Sequence, residues 1–229
     1  DRFMQHDNIK INNHFEGLAD PFVSKDACGV GFVASTHNIK SRDIVLKSFQ
    51  ALKNLAHRGA VDADGKTGDG AGIMTSIPEE YYRKQAKKNG VDLGEGHFGI
   101  MMIFYPNDPD EKAACRDVVE SVLGKSDIPV MWSRDVPANE SILGQKAASV
   151  KPNIRQKFLA CPRYMVRDEF EQLLFFVRKE IEVHVLERSL KDYYITSMST
   201  KTIVHKGLFV GDEVKDFYLD LQDDEFISE

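Results

Sequence analysis

The eight residues Phe98-Gly-Ile-Met-Met-Ile-Phe-Tyr105 carry no charge at all. A run of that length and composition reads as a buried strand. An amphipathic pattern follows over 108–123, with Ala114, Val118, Val119 and Val122 as its apolar positions, and then a second strand-like run over 128–136. The stretch 98–136 is therefore expected to be a strand–helix–strand unit. The same alternation extends to both sides. Ser41 can cap a helix whose apolar positions Val45, Phe49, Leu52 and Ala56 recur at three- and four-residue spacing, with Gly59 just past its end. Strands are expected at 73–77, 154–161, 193–197 and 202–204, a polar surface helix at 79–88, and a long helix over 168–188 on Phe170, Leu174, Val177, Ile181 and Val185. The acidic tail, 220–229, shows no closing element. The class is mixed α and β.

Composition narrows the function classes. A net charge of -6 argues against nucleic acid or an anionic membrane as partner, since both select basic surfaces. No run approaches the roughly 20 apolar residues that span a bilayer, and the first residues lack an apolar signal core. Three cysteines, at 28, 115 and 161, are too far apart for a CxxC motif. A reducing, cytoplasm-like compartment is expected.

Two motif matches fail on context. Gly29-Val-Gly31-Phe-Val-Ala34 fits G-x-G-x-x-A, but a dinucleotide fingerprint must open a helix, and the chain continues here as strand. Gly59 to Gly65-Lys66-Thr67 has five intervening residues where a P-loop has four, and Gly68-Asp69-Gly70 would break the helix it requires.

More informative is the constellation Cys28-Gly-Val-Gly-Phe, His57-Arg58-Gly59-Ala60, Thr67-Gly68-Asp69-Gly70-Ala71-Gly72. Cys28 opens an apolar, glycine-punctuated run expected to be a buried strand, 28–34, to which backbone or ligand can approach closely. Spacing alone favours Cys28 as a small buried hydrophobe. Arg58 could serve only as a helix C-terminal cation, and the Asp/Gly loop only as a turn.

Those blocks, in that order, resemble one family. Gly17-Leu-Ala-Asp-Pro21, Asp26-Ala-Cys-Gly-Val-Gly-Phe32, Leu55-Ala-His-Arg-Gly-Ala-Val-Asp-Ala-Asp64 and Thr67 to Ile73 are very similar to the start of glutamate synthase large subunits. Ile142 to Ala147, Ile154-Arg-Gln156 and Thr202 to Gly207 continue the likeness, with His205 where a tyrosine is more usual. The resemblance implies an N-terminal-nucleophile hydrolase fold of the α+β class, a four-layer αββα sandwich of which this chain is the front half. It implies a propeptide or extension over 1–27 and a partial class II glutamine amidotransferase domain over 28–229. Cys28 would attack the glutamine amide, Arg58 would shape the pocket, and Gly29, Gly31, Thr67, Gly68, Asp69 and Gly70 would lie near it.

The same resemblance implies L-glutamine as substrate, no cofactor in this segment, and FMN with an iron–sulfur cluster in the full enzyme. Partners would be the remaining glutamate synthase domains and a small reductase subunit, in the cytoplasm or, in a photosynthetic eukaryote, a plastid. The family's oxyanion-hole Asn-Gly pair is missing before Glu229, so the segment alone is expected to be inactive. Alternatives are another class II amidotransferase, for purine, asparagine or amino-sugar synthesis, or a catalytically silent folding or interaction module.

Overall fold

The computed structural model describes residues 29–56, 59, 61 and 63–229. Helix α1 (Arg42–Leu55) starts where its cap predicts: the Ser41 hydroxyl accepts the Ile44 amide, one of the donors a first turn leaves unpaired. Strand β1 (Ala71–Ser76) and helix α2 (Glu79–Lys88) follow. The polarity of α2 predicts a surface helix, yet Tyr81, Tyr82 and Ala86 are buried. Tyrosine can do both, because its ring packs while its hydroxyl keeps a partner. The Tyr81 hydroxyl donates to Asp220 Oδ1 at 2.8 Å.

Next come β2 (Phe98–Tyr105), α3 (Pro109–Lys125), β3 (Val130–Asp135), α4 (Gln145–Val150), β4 (Asn153–Ala160), α5 (Arg167–Glu187) and β5 (Tyr194–Ser199). All the expected strands and long helices of this stretch are present, but β3 is not the neighbour of β2. The sheet order is β3-β4-β2-β5, every pairing antiparallel. Strand β4 thus splits the strand–helix–strand unit, and the whole reads β-α-β-β-α-β, the split arrangement also called ferredoxin-like. Sequence adjacency cannot show such an insertion, because the inserted strand comes later in the chain.

Alternation along β2 explains its unbroken apolar run. Met101, Ile103 and Tyr105 face a core made with α3 and α5, while Phe98, Ile100 and Met102 face a second core. A strand covered on both faces has no polar side to show. The second core gathers Val45 and Phe49 of α1, Ile73 and Ile77, the α2 tyrosines, and Phe158. It is closed by β6 (Thr202–Gly207), which pairs antiparallel with β1, by the short helix α6 (Val214–Phe217), and by the chain's last residues.

Strands β5 and β6 adjoin without a backbone ladder. The Ser197 hydroxyl accepts the Val204 amide at 3.2 Å, and the Thr196 hydroxyl donates to the Val204 carbonyl at 3.2 Å. Side chains stand in for strand bonds, so the described residues form two sheets, of four and two strands. The α+β class holds.

Two expectations are corrected. The acidic tail does close the fold: Leu221 and Phe226 are fully buried, Asp220 is 3% exposed, and Ser41 and Ser228 exchange backbone hydrogen bonds of 2.8 and 3.2 Å. Its acidic composition hid a few apolar anchors, which is all a tail needs for packing. The expected strand over 28–34 does not form across the described residues 29–34. Val30 and Phe32 are 87% and 92% exposed, and no described strand pairs with them. An apolar run becomes a strand only when a neighbour supplies the ladder.

Candidate active site

Helix α1 carries the chain to the site. A Cβ built on Gly29 would lie 3.0 Å from Leu55 Cδ2, and one on Gly31 4.0 Å from Leu55 Cδ1. The segment after position 28 therefore runs against the last turn of α1. Beyond that helix, the loop 63–70 is drawn together by one carboxylate. Asp64 Oδ1 accepts the amides of Lys66 and Thr67 at 2.9 and 2.7 Å, and Oδ2 accepts the Thr67 hydroxyl at 2.6 Å. The Lys146 amide reaches Oδ2 at 3.4 Å, and the Ala147 amide donates to Thr67 Oγ1 at 3.2 Å. The loop is thereby tied to the start of α4. The Thr67 hydroxyl foremost, then the amides of Thr67, Lys66 and Lys146, hold the Asp64 carboxyl well below the usual carboxylate range.

Thr67 and Gly68 point inward and form the back of this wall. Thr67 is 3% exposed, and a Cβ on Gly68 would stand 2.1 Å from the Phe209 carbonyl oxygen, so only glycine fits. Gly70 takes φ of 136°, where side chains are strained. It turns the chain into β1.

In front of the wall lies a cavity of about 1120 Å³. Gly29, Leu55, Asp69, Gly70 and Gly72 line one end; Met74, Phe104, Tyr194 and Lys206 extend it across the outer face of the β1–β6 pair. That face is open: Met74 is 67% exposed, while Ile73 and Thr75, which alternate with it, are buried. The structure thus brings Gly29, Asp69 and Gly70 to one cavity, puts Thr67 and Gly68 behind its wall, and leaves Gly31 outside its lining. Cys28 and Arg58, with His57, lie outside the described residues.

Asp64 and the start of α4 escaped the sequence reading as site-forming groups. A signal was present, since Asp followed by Gly and then Thr is the composition of a turn in which the carboxylate accepts amides just ahead. His205, flagged as unusual, proves fully buried on β6 opposite Ile73, with its ring 4.9 Å from that of Tyr218. Neither ring nitrogen has a hydrogen-bond partner among the described residues. Burial first, and the Arg134 charge second, push its pKa down to about 3, so the ring is neutral.

This geometry, a glycine-walled cavity with Gly29 in its lining on an antiparallel α+β frame, agrees with the family comparison. Residues 28–229 match the class II glutamine amidotransferases, and the chain belongs to that family. Among its relatives is the glutamate synthase [NADPH] large chain of Azospirillum brasilense, 36% identical over 211 residues, covering 92% of this chain and 14% of that protein. Ferredoxin-dependent glutamate synthase 2 of Synechocystis is 32% identical over 98% of this chain and 14% of its own length. Ferredoxin-dependent glutamate synthase 1 of Arabidopsis thaliana is 36% identical over 92% of this chain and 13% of its own. The chain thus spans about one-seventh of these relatives.

Among the described residues the donor set does not suit an iron–sulfur cluster. Such clusters need several convergent thiolates. Cys115 is buried inside its helix–sheet core, where desolvation pushes its thiol up to about 11, and burial likewise raises Cys161. Among the described residues no three His, Cys, Asp or Glu converge as metal ligands. No described helix is long and apolar enough to cross a membrane.

Proposed function

We propose that this segment, within the complete protein, hydrolyses the side-chain amide of L-glutamine with Cys28 as nucleophile. The observation that carries the reading is that the family match begins at Cys28 itself, while Gly29, its neighbour, lines the large cavity. In this reading the bond before Cys28 is cleaved and residues 1–27 leave. The freed α-amine, with a pKa of about 7.7–8.0, takes up the thiol proton near neutral pH, as a lysine at about 10.4 would not. The thiolate attacks the amide carbon, the C–N bond breaks, and ammonia departs with the transferred proton. Water then cleaves the γ-glutamyl thioester, giving glutamate and the free thiol.

Arg58 shapes the pocket beside the nucleophile. Gly29 and Gly31 keep the backbone clear, and the loop from Thr67 through Gly68 and Asp69 to Gly70 forms the facing wall. In a glutamate-synthase-length protein the ammonia would pass to a second site for reductive amination of 2-oxoglutarate. FMN, the iron–sulfur cluster and any small reductase subunit belong to that remainder, in the cytoplasm or a plastid. Relatives named for NADPH and for ferredoxin both reach 36% identity, so similarity does not select an electron donor.

In the complete protein, Cys28→Ala is expected to abolish glutamine-dependent glutamate formation and to spare ammonia-dependent synthesis. Cys115→Ala and Cys161→Ala should spare both. Equal loss of both activities in Cys28→Ala would make Cys28 a structural cysteine and overturn the proposal.

A further inference from the structure

Helix α3 and strand β4 face each other along a groove on the helix-covered side of the four-stranded sheet, which the amidotransferase cavity reaches only at the sheet's end, at Tyr105 and Glu111. On β4, Asn153, Arg155 and Lys157 alternate onto the face that packs toward α3, as does the buried Leu159. On α3, Lys112, Arg116 and Glu120 recur every four residues and share one side. Both ends of this ladder are fixed by contacts: Lys112 Nζ donates to Asn153 Oδ1 at 2.7 Å, and Lys157 Nζ lies 3.8 Å from Glu120 Oε1. Four helical residues advance about 6 Å and two strand residues about 6.6 Å, so the rungs stay in step. The middle rung therefore sets Arg116 against Arg155, two guanidiniums with no carboxylate between them.

Nothing in the fold explains that rung. Among the described residues Arg116 makes no hydrogen bond and no ion pair. The Arg155 Nε lies 3.4 Å from Asp135 Oδ1 as an ion pair but makes no hydrogen bond. Lys157, with a side chain 9% exposed, has only the distant Glu120. At the end of β2, opposite Asn153 and so beside the first rung, Tyr105 is fully buried and its hydroxyl is unpartnered. Burial foremost pushes that hydroxyl above the usual tyrosine range, and the charges of Arg116, Glu120 and Arg155 act on it as well. A buried hydroxyl without a partner is costly unless something else binds it.

We propose that the α3–β4 groove binds a small dianionic oxyanion, a phosphate group or a dicarboxylate, between Arg116 and Arg155. Lys157 and Lys112 flank the ligand, and the Tyr105 hydroxyl donates to it from the floor. Four cations against Glu120 and Asp135 leave a local excess of two positive charges in a chain whose net charge is -6. Guanidinium forks match the paired oxygens of phosphate and carboxylate alike. This inference rests on the β-α-β-β-α-β unit alone and stands apart from the chemistry at Cys28.

The test is calorimetric titration of the whole protein with inorganic phosphate and, separately, succinate, at fixed ionic strength. Saturable one-site binding is expected, weakened at least about tenfold by Arg116→Met. Because Arg116 is exposed and bonded to nothing, that variant should fold as the parent does. Lys157→Met should weaken binding too, whereas Lys191→Met, outside the groove, should not. Binding of phosphate alone identifies a phosphorylated ligand, and binding of succinate alone a dicarboxylate. No saturable binding of either, or equal binding by Arg116→Met, overturns the proposal.

Discussion

The β-α-β-β-α-β unit, 98–199, and the frame that surrounds the cavity solve the same packing problem differently. In the unit, two amphipathic helices cover one sheet face with Val118, Val119, Val122, Leu174, Val177 and Ile181; β2 and β4 pair in unbroken register, and β5 and β3 each join them with one register shift. In the frame, two short strands are held by a loop clasp, a capped helix and a folded-back tail, and one sheet face stays open. Its tolerances are also tighter. Gly68 and Gly72 touch backbone at distances that exclude a side chain. Regular burial builds the unit, whereas the frame spends stability on holding a wall in place.

The sharpest way to break this contrast is a glycine pair. Gly68→Ala would put a methyl 2.1 Å from the Phe209 carbonyl oxygen, and rigid backbone cannot yield as a side chain can. Destabilisation of about 3 kcal/mol or more is expected in urea unfolding, with the cavity wall displaced. Gly124→Ala, near the end of α3 with nothing within 4 Å, should instead stabilise the protein by about 0.5–1 kcal/mol. Equal effects at the two positions would erase the distinction.

Next in size is the acid sensitivity of His205. Its folded pKa, about 3, lies below the unfolded value of 6.5, so the unfolded chain binds the extra proton between these limits. The stabilising contribution is complete above pH 6.5 and is lost as pH falls toward 3, at up to about 1.4 kcal/mol per pH unit. His205→Phe removes that dependence along with two unpaired nitrogens. Its unfolding free energy should exceed the parent's by a margin that widens from pH 7 to pH 4.5; a constant margin would contradict the neutral, buried ring.

A smaller effect tests the clasp. Asp64→Asn keeps the size but converts half of the acceptor pair into donors, weakening the hold on the Lys66 and Thr67 amides or on the Thr67 hydroxyl. A loss of about 1–2 kcal/mol is expected in unfolding, with KM for glutamine rising more than kcat falls. Unchanged kinetics would show that the clasp does not set the wall.

Legibility followed the same division. Strand β2 falls on the residues its apolar run marks, and α3 and α5 lie within two residues of their periodic patterns. Those signals are local, because burial against a layer repeats with the period of the element. The order β3-β4-β2-β5 was not legible, since pairing joins residues far apart in sequence. Around the cavity, Gly29, Asp69 and Gly70 were singled out by motif resemblance rather than by pattern. The Asp64 turn had a local signal, but its tie to the amides opening α4 and the anchoring role of Phe226 depend on where the chain returns, which no local spacing records. The apolar run at 29–34 misled for the opposite reason: its strand signal is local, but a strand is a relation between two segments.

The account's central claim is that Cys28 carries both nucleophile and base, which requires a free α-amine on that residue. N-terminal sequencing of the catalytically active, complete protein tests it most directly. The sequence is expected to begin Cys28-Gly29-Val30, with Ala27 and everything before it gone. Full glutamine-dependent activity in a protein that still carries Ala27 would contradict the claim, because the nitrogen of Cys28 would then be an amide, which cannot accept the thiol proton.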